Sequence, residues 1–437
     1  KSKNIFSIFS EFNNNLDLKN FVSSNFNLSL ERVTNDTYLK VFDQNIYENE
    51  LKPEDPNILN SKMNLYLEHE NYDFEAGFSV YEDLQKINSD RYQYVLPFYD
   101  LDRKFNRRYL RGDINFSSSG KNSLIDTNKL ETTITNNISY FGNEFISNLG
   151  FKNNISIDIK NLNSVGKNSA QYKSSPQIEL MSIYSFDSSF PMIKKQKDYN
   201  NYFTPKISLK INPNDMKDYA DTKKTINTKN IFNSNRLGLT DSLEAGRSLT
   251  LGLDFKKISK NNLNNFFEIG LATVLRDKEE KFIPNNTSIN KKHSNIFGNI
   301  NTKFSELIKF EYDFALDNNY NDLVYNELNT SLIFGNLETE FSFIKEKDEM
   351  GNDNVFENYT SYKFDKNNFL SFKTRRNRKL DLTEYYNLIY EYKNDCLTAG
   401  IKYSKTYYED KDLKPSENLF FTMTLIPLGE HEQKVRP

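Results

Sequence analysis

The sequence predicts an all-β fold, a large antiparallel transmembrane β-barrel of roughly twenty strands. Three observations carry this expectation. Apolar and polar residues alternate with period two in one segment after another, as strands with one apolar face require. Connections between these segments alternate between short turns and long polar loops. No run of about 18 apolar residues occurs, so no membrane helix is available, and no strong helical period appears. Soluble sheets share the alternation; the asymmetry of the connections is what points to an outer-membrane barrel.

Composition agrees. The 437 residues could form two or three soluble domains or one very large barrel. Only 37% are hydrophobic, which a barrel tolerates because alternate residues alone meet lipid. The 35 Phe and 27 Tyr are strand formers and interfacial girdle residues, and their abundance argues against disorder. A net charge of -3, with both signs mixed, suggests no nucleic-acid partner. The single cysteine, Cys396, excludes a disulfide within this chain. Lys1-Ser2-Lys3-Asn4 is neither an initiator methionine nor a signal peptide, so the chain reads as part of a longer precursor.

Taken in order, residues 5–12, 21–33 and 37–42 read as strands, before a loop with Pro53 and Pro56. Met63, Leu65 and Leu67 alternate with polar neighbours, and a tight turn at Glu70-Asn71 leads into Phe74, Ala76, Phe78 and Val80. Residues 92–101 carry Pro97, which calls for a strand end, a bulge or an edge. Strands follow at 109–118, 130–140, 144–159, 178–186 and 203–211, then a long irregular stretch from 212 to 246. Beyond it the rhythm is clearest. Short turns fall at Ser305-Glu306, Gly335-Asn336, 365–368 and Asn394-Asp395; long charged loops fall at 277–293, 346–354 and 408–417. The final strand, with Leu419, Phe421, Met423 and Leu425 on one face, is expected at the lateral seam of a barrel spanning residues 1–429, and 430–437 reads as a tail.

Catalytic and metal chemistry find no foothold. His69, His293 and His431 lack the spacing of a metal site. Ser119-Gly120-Lys121-Asn122 lacks the earlier glycine and the Ser/Thr of a phosphate loop, and no G-x-S-x-G is present. No catalytic, metal or cofactor residues are assigned. Arg375, Arg376, Arg378 and Lys379 form the one dense basic cluster, either a solvated loop or a contact for lipid phosphates. The stretch 235–246 is either a plain loop or a luminal plug, with Asn235, Arg236, Gly238, Asp241, Glu244 and Gly246 as its candidate residues.

Several motifs together resemble one family. They are Arg32-Val33-Thr34-Asn35-Asp36-Thr37-Tyr38-Leu39, Tyr94-Val95-Leu96-Pro97, the whole of 235–246, and the end from Glu384-Tyr385-Tyr386-Asn387 through Asn394-Asp395-Cys396 to Leu425-Ile426-Pro427. In this order and spacing the chain resembles the β-barrel part of the lipopolysaccharide-assembly protein LptD, in its alphaproteobacterial form. Family members usually carry Gly where Leu239 stands and Arg where Ser242 stands. The resemblance implies an outer-membrane translocon without catalysis that releases lipopolysaccharide laterally into the outer leaflet. It implies an LptE-type lipoprotein plug and an LptA-type periplasmic bridge reached through an N-terminal jelly-roll. That domain and the first barrel strands are missing from this sequence. It also implies a disulfide from Cys396 to the N-terminal part, whereas a lone cysteine is otherwise a small buried hydrophobe. The rival expectation is a passive porin or ligand-uptake barrel.

Overall fold

The computed structural model describes residues 6–42, 51, 53, 55–107, 111–305, 307–407, 415–425 and 429–435. Among the described residues the strands form one antiparallel sheet of twenty-four segments, paired in sequence order apart from two short ones. Two segments are short. Phe145–Ile146 continues Lys129–Gly142 along Lys152–Lys167, and Met192–Lys195 continues Gln177–Ser189 along Tyr199–Asn212. Twenty-two staves remain when each is counted with the strand it extends.

The sheet is inside-out. In Tyr199–Asn212, Ile207, Leu209 and Ile211 are exposed while Ser208, Lys210 and Asn212 are buried. In Leu382–Lys393, Tyr386, Leu388 and Tyr390 are exposed while Tyr385 and Asn387 are buried. Ser416–Leu425 repeats this: Phe421 is 47% exposed and Thr422 0%. A water-soluble sheet would bury the opposite face. Exposing a continuous apolar face is affordable only against hydrocarbon, where the polar face must turn inward.

A strand-free segment lies on the inward face. Residues 213–245 form no strand and touch one face of eight successive strands, from Lys152–Lys167 round to Leu323–Phe334. The largest apolar core among the described residues sits there. Met216, Ile226, Ile231, Leu237 and Leu239 of the segment pack on Ala272, Val274, Phe297, Ala315 and Val324 of the wall, together with Ile283 and Ile289.

Four sequence expectations are corrected. Residues 37–42 are not a strand; Tyr38–Phe42 is a short helix. Its start is held by the Asn35 carboxamide, which accepts from the Thr37 N–H at 2.8 Å and hydroxyl at 2.6 Å, and Leu39 buries against Val33, Leu59 and Leu84. The strand expected over 144–159 is interrupted: a turn from Ser147 to Gly150, with φ of +89° at Gly150, separates Phe145–Ile146 from Lys152–Lys167. Residues 430–435 are not a tail, because Gly429–Val435 pairs antiparallel with Ser416–Leu425. Ser416–Leu425 is therefore not the outermost strand: its N–H and C=O groups, which an edge would leave unpaired, are satisfied by that ladder. Pro97 sits at a bulge, where the register shifts between Val95 and Phe98. Among the described residues no ladder joins Ser7–Asn15 to Gly429–Val435. The long loop expected at 408–417 lies outside the described residues up to 414, as do 436–437.

Candidate luminal site

The site is the inner wall and the segment latched to it. Antiparallel pairing puts alternate connections at the same end. The turns near 70, 306, 335, 365 and 395 share one end; the connections 168–176, 213–245, 277–295, 347–353 and 378–381 share the other. The segment thus enters the lumen from the long-loop end.

Its local shape follows from its sequence. Asn235 clamps Leu239 in both directions: the carboxamide donates to the Leu239 carbonyl at 3.0 Å and accepts from its N–H at 3.1 Å. Gly238 between them adopts φ of +61°, a conformation open to glycine at little cost. The chain then descends along the wall, where Lys160 donates to the Thr240 carbonyl at 2.6 Å.

Two charged anchors hold it. Asp241 accepts from the Tyr172 hydroxyl at 2.6 Å, from Gln171 Nε2 at 2.8 Å and from the Tyr219 hydroxyl. Burial and this carboxylate push both tyrosines above their ordinary range, so they remain donors. Deeper in, Glu244 binds two arginines. Arg236 reaches it through Nε at 2.7 Å and Nη2 at 2.5 Å, a forked pair, and Arg276 of the wall donates to the same Oε1. Arg236 also donates to Thr250 Oγ1 at 2.9 Å and Ser248 Oγ at 3.0 Å, while Arg276 donates to the Ala245 carbonyl at 2.9 Å. Lys210 donates to the carbonyls of Ile231 and Asn233. Burial alone would raise the Glu244 carboxyl, but the two guanidiniums prevail and hold it down to about 2.

That depression sets a pH window. The folded value lies below the ordinary 4.5, so the stabilisation from Glu244 is complete above 4.5 and drains away as pH falls toward about 2. Planar-bilayer recordings are expected to give the same basal conductance at neutral pH and at pH 4.5, rising only as pH approaches 2. A rise already at pH 5 would mean that Glu244 does not hold the segment.

Of the expected plug residues, Arg236, Asp241 and Glu244 are brought together on the inner wall, Asn235 and Gly238 shape the turn, and Gly246, with φ of +82°, opens the next strand. Ser242 accepts the Lys217 N–H at 3.1 Å. The basic cluster is split by the pleat. Arg375 faces inward and pairs with Glu384 at 2.8 Å, Arg376 faces outward and pairs with Asp381 at 2.6 Å, and Arg378 and Lys379 are exposed beyond the strand. Leu419, Phe421 and Met423 share the outward face; of Leu425 only the backbone is described. Cys396 is exposed in its turn at the short-turn end, its N–H bound to Asn394 Oδ1 at 2.9 Å. Sequence reading missed Arg276, Lys210 and Lys160. Each sits at an inward parity, where Arg276 follows Ala272 and Val274, and Lys210 falls between Ser208 and Asn212; that parity was the available signal.

The family model described as LptD, LPS transport system D, matches residues 9–343, well over half of the chain. No curated protein sequence matches it. Among solved structures, the siderophore receptor PirA from Acinetobacter baumannii is 8% identical with a TM-score of 0.40, covering 86% of this chain and 72% of that one. The copper transporter OprC is 8% identical with a TM-score of 0.36, covering 84% and 71%. A ferric enterobactin receptor (PfeA) mutant from Pseudomonas aeruginosa is 8% identical with a TM-score of 0.40, covering 86% and 71%. Likeness at these scores carries no argument, and the assignment rests on the family match.

Proposed function

The chain belongs to the LptD family of lipopolysaccharide-transport barrels of the outer membrane, and from that premise we propose that it is the translocon that inserts lipopolysaccharide into the outer leaflet through a lateral seam. The family match is the observation that carries this reading. The inside-out wall supports it, because a cargo with a polar head and acyl chains needs a wet lumen and an exit to lipid side by side. Among the described residues no ladder joins Ser7–Asn15 to Gly429–Val435, so these edges are open to further strands of the full-length protein, whose first and last strands form the seam. An LptE-type lipoprotein sits in the lumen beside the latched segment, and an LptA-type bridge delivers cargo through an N-terminal domain. Arg378 and Lys379 meet lipopolysaccharide phosphates at the long-loop end, which faces the cell exterior. Cells depleted of their own assembly barrel and supplied with the full-length protein are expected to show newly made lipopolysaccharide at the surface. Porin-like conductance without surface lipopolysaccharide would refute the reading.

Orientation is tested with single cysteines in a Cys396→Ser background. Lys347→Cys is expected to react with an impermeant maleimide on intact cells, and Asn336→Cys only after permeabilisation. The reverse order would invert the barrel.

Cys396 lies exposed at the end assigned to the periplasm, an oxidising compartment. It is bridged to the N-terminal part of the full-length protein. Non-reducing electrophoresis is expected to separate native protein from Cys396→Ser; identical migration, with Cys396 alkylated in the native protein, would dismiss the bridge.

A further inference from the structure

Outside the lumen, a groove of ≈ 510 Å³ lies on the outward face of the wall, where Met192–Lys195, Tyr199–Asn212 and Gly246–Ser259 run side by side. One strand separates the turn 196–198 from the connection 213–245, so the groove sits at the short-turn end. Strand parity sets its face. Phe203 is exposed in line with Ile207 and Leu209, and its ladder partners Met192 and Phe255 share that side. Lys194 and Lys257, both opposite Asn201, share it too. These two are the charged lining residues, and no carboxylate lines the groove among the described residues. The inward lysines of the same strands are neutralised, Lys206 by Asp254 and Lys256 by Glu268. Lys194 and Lys257 form no ion pair among the described residues.

Lys257 lays its ammonium 4.2 Å from the centre of the Tyr199 ring, two residues nearer the rim than its own ladder partner. A lysine whose stem lies along apolar surface sends its charged head toward water in this way. On the other side of the lysines the groove turns apolar. Phe203 and Phe255 face each other across the strands, Phe267 meets Phe255 edge-on at 6.5 Å, and exposed Ile207 and Leu251 continue the track away from the rim. Two unpaired ammoniums at the head of an apolar track complement a phosphate joined to acyl chains. A soluble anion would leave the track empty, and a zwitterionic lipid would bring a third cation against the lysines. We propose that this groove binds an anionic glycerophospholipid, its phosphodiester held by Lys194 and Lys257 and an acyl chain lying along Phe203, Phe255 and Leu251. The bound lipid fixes the depth at which this rim sits among the headgroups. Only the leaflet, periplasmic by the orientation proposed above, rests on the transport reading.

The test is native mass spectrometry of the refolded full-length protein in nonionic detergent, offered equal amounts of phosphatidylglycerol and phosphatidylethanolamine with the same acyl chains. The wild type is expected to retain phosphatidylglycerol in preference. Lys194→Gln/Lys257→Gln is expected to lower that retention by about tenfold or more while the heat-modifiable mobility of the folded barrel is kept. Lys206→Gln/Lys256→Gln, which removes the same charge from the inward face, is expected to leave it unchanged, and so is an excess of inorganic phosphate. Equal retention of the two lipids by the wild type, undiminished retention by Lys194→Gln/Lys257→Gln, an equal loss from the inward variant, or displacement by phosphate would overturn the proposal. Stronger retention of lipid A than of phosphatidylglycerol would also overturn it. Selective retention by a protein that delivers no lipopolysaccharide to the cell surface would count against the transport reading and leave this site standing.

Discussion

Glu244→Ala is expected to release the luminal segment. It leaves Arg236 and Arg276, both buried, without their shared carboxylate. Removing one partner of a buried ion pair costs about 3–5 kcal/mol, because the stranded charges stay desolvated. The wall strands keep their own ladders, so the loss falls on the segment. Lys217, Lys223, Lys224 and Lys229 then become sites for trypsin, and basal conductance rises. Arg236→Met combined with Glu244→Ala is expected to cost less than the sum of the single changes, since it removes a stranded charge along with its partner. A tryptic pattern in Glu244→Ala identical to the native one would show that apolar packing alone holds the segment.

The second large effect separates the two faces of the wall. Leu388 is exposed on the outward face near the middle of Leu382–Lys393; Tyr359 is exposed on the inward face beside Lys373 and Glu340. Leu388→Arg is expected to cost about 2–4 kcal/mol near the bilayer midplane, whereas a luminal arginine stays hydrated. Folding into lipid vesicles, followed by denaturant titration, is expected to show that loss for Leu388→Arg and little for Tyr359→Arg. Equal costs would remove the sidedness on which the barrel rests.

Much of this fold was legible because a strand's period survives in any solvent. Leu388 and Tyr390 alternate with Asn387 and Glu391 whether the apolar face meets core or lipid. The alternation alone could not say which; the asymmetry of the connections pointed to lipid, and the burial of Ser208 and Lys210 opposite exposed Ile207 and Leu209 agrees. Short elements were the least legible. Tyr38–Phe42 is too brief to display a helical period, and its cap depends on Asn35 meeting Thr37 in space. Gly429–Val435 has no alternating apolar residues, so its pairing comes from backbone edges that leave no mark on side-chain pattern. In the site, the stretch 235–246 stood out, but its partners did not. Arg276 lies 32 residues beyond Glu244 and Tyr172 lies 69 before Asp241, and only strand pairing and the inward fold of the segment bring them together.

The most direct test of a luminal lipopolysaccharide route is photo-crosslinking from Tyr359, which faces the lumen without belonging to the latch. A photoreactive residue at this position, in living cells with the full-length protein, is expected to capture lipopolysaccharide while synthesis and periplasmic supply continue and to lose the adduct when supply is blocked. No adduct at Tyr359 under active supply, with adducts forming only at the outward Leu388, would contradict passage through this barrel.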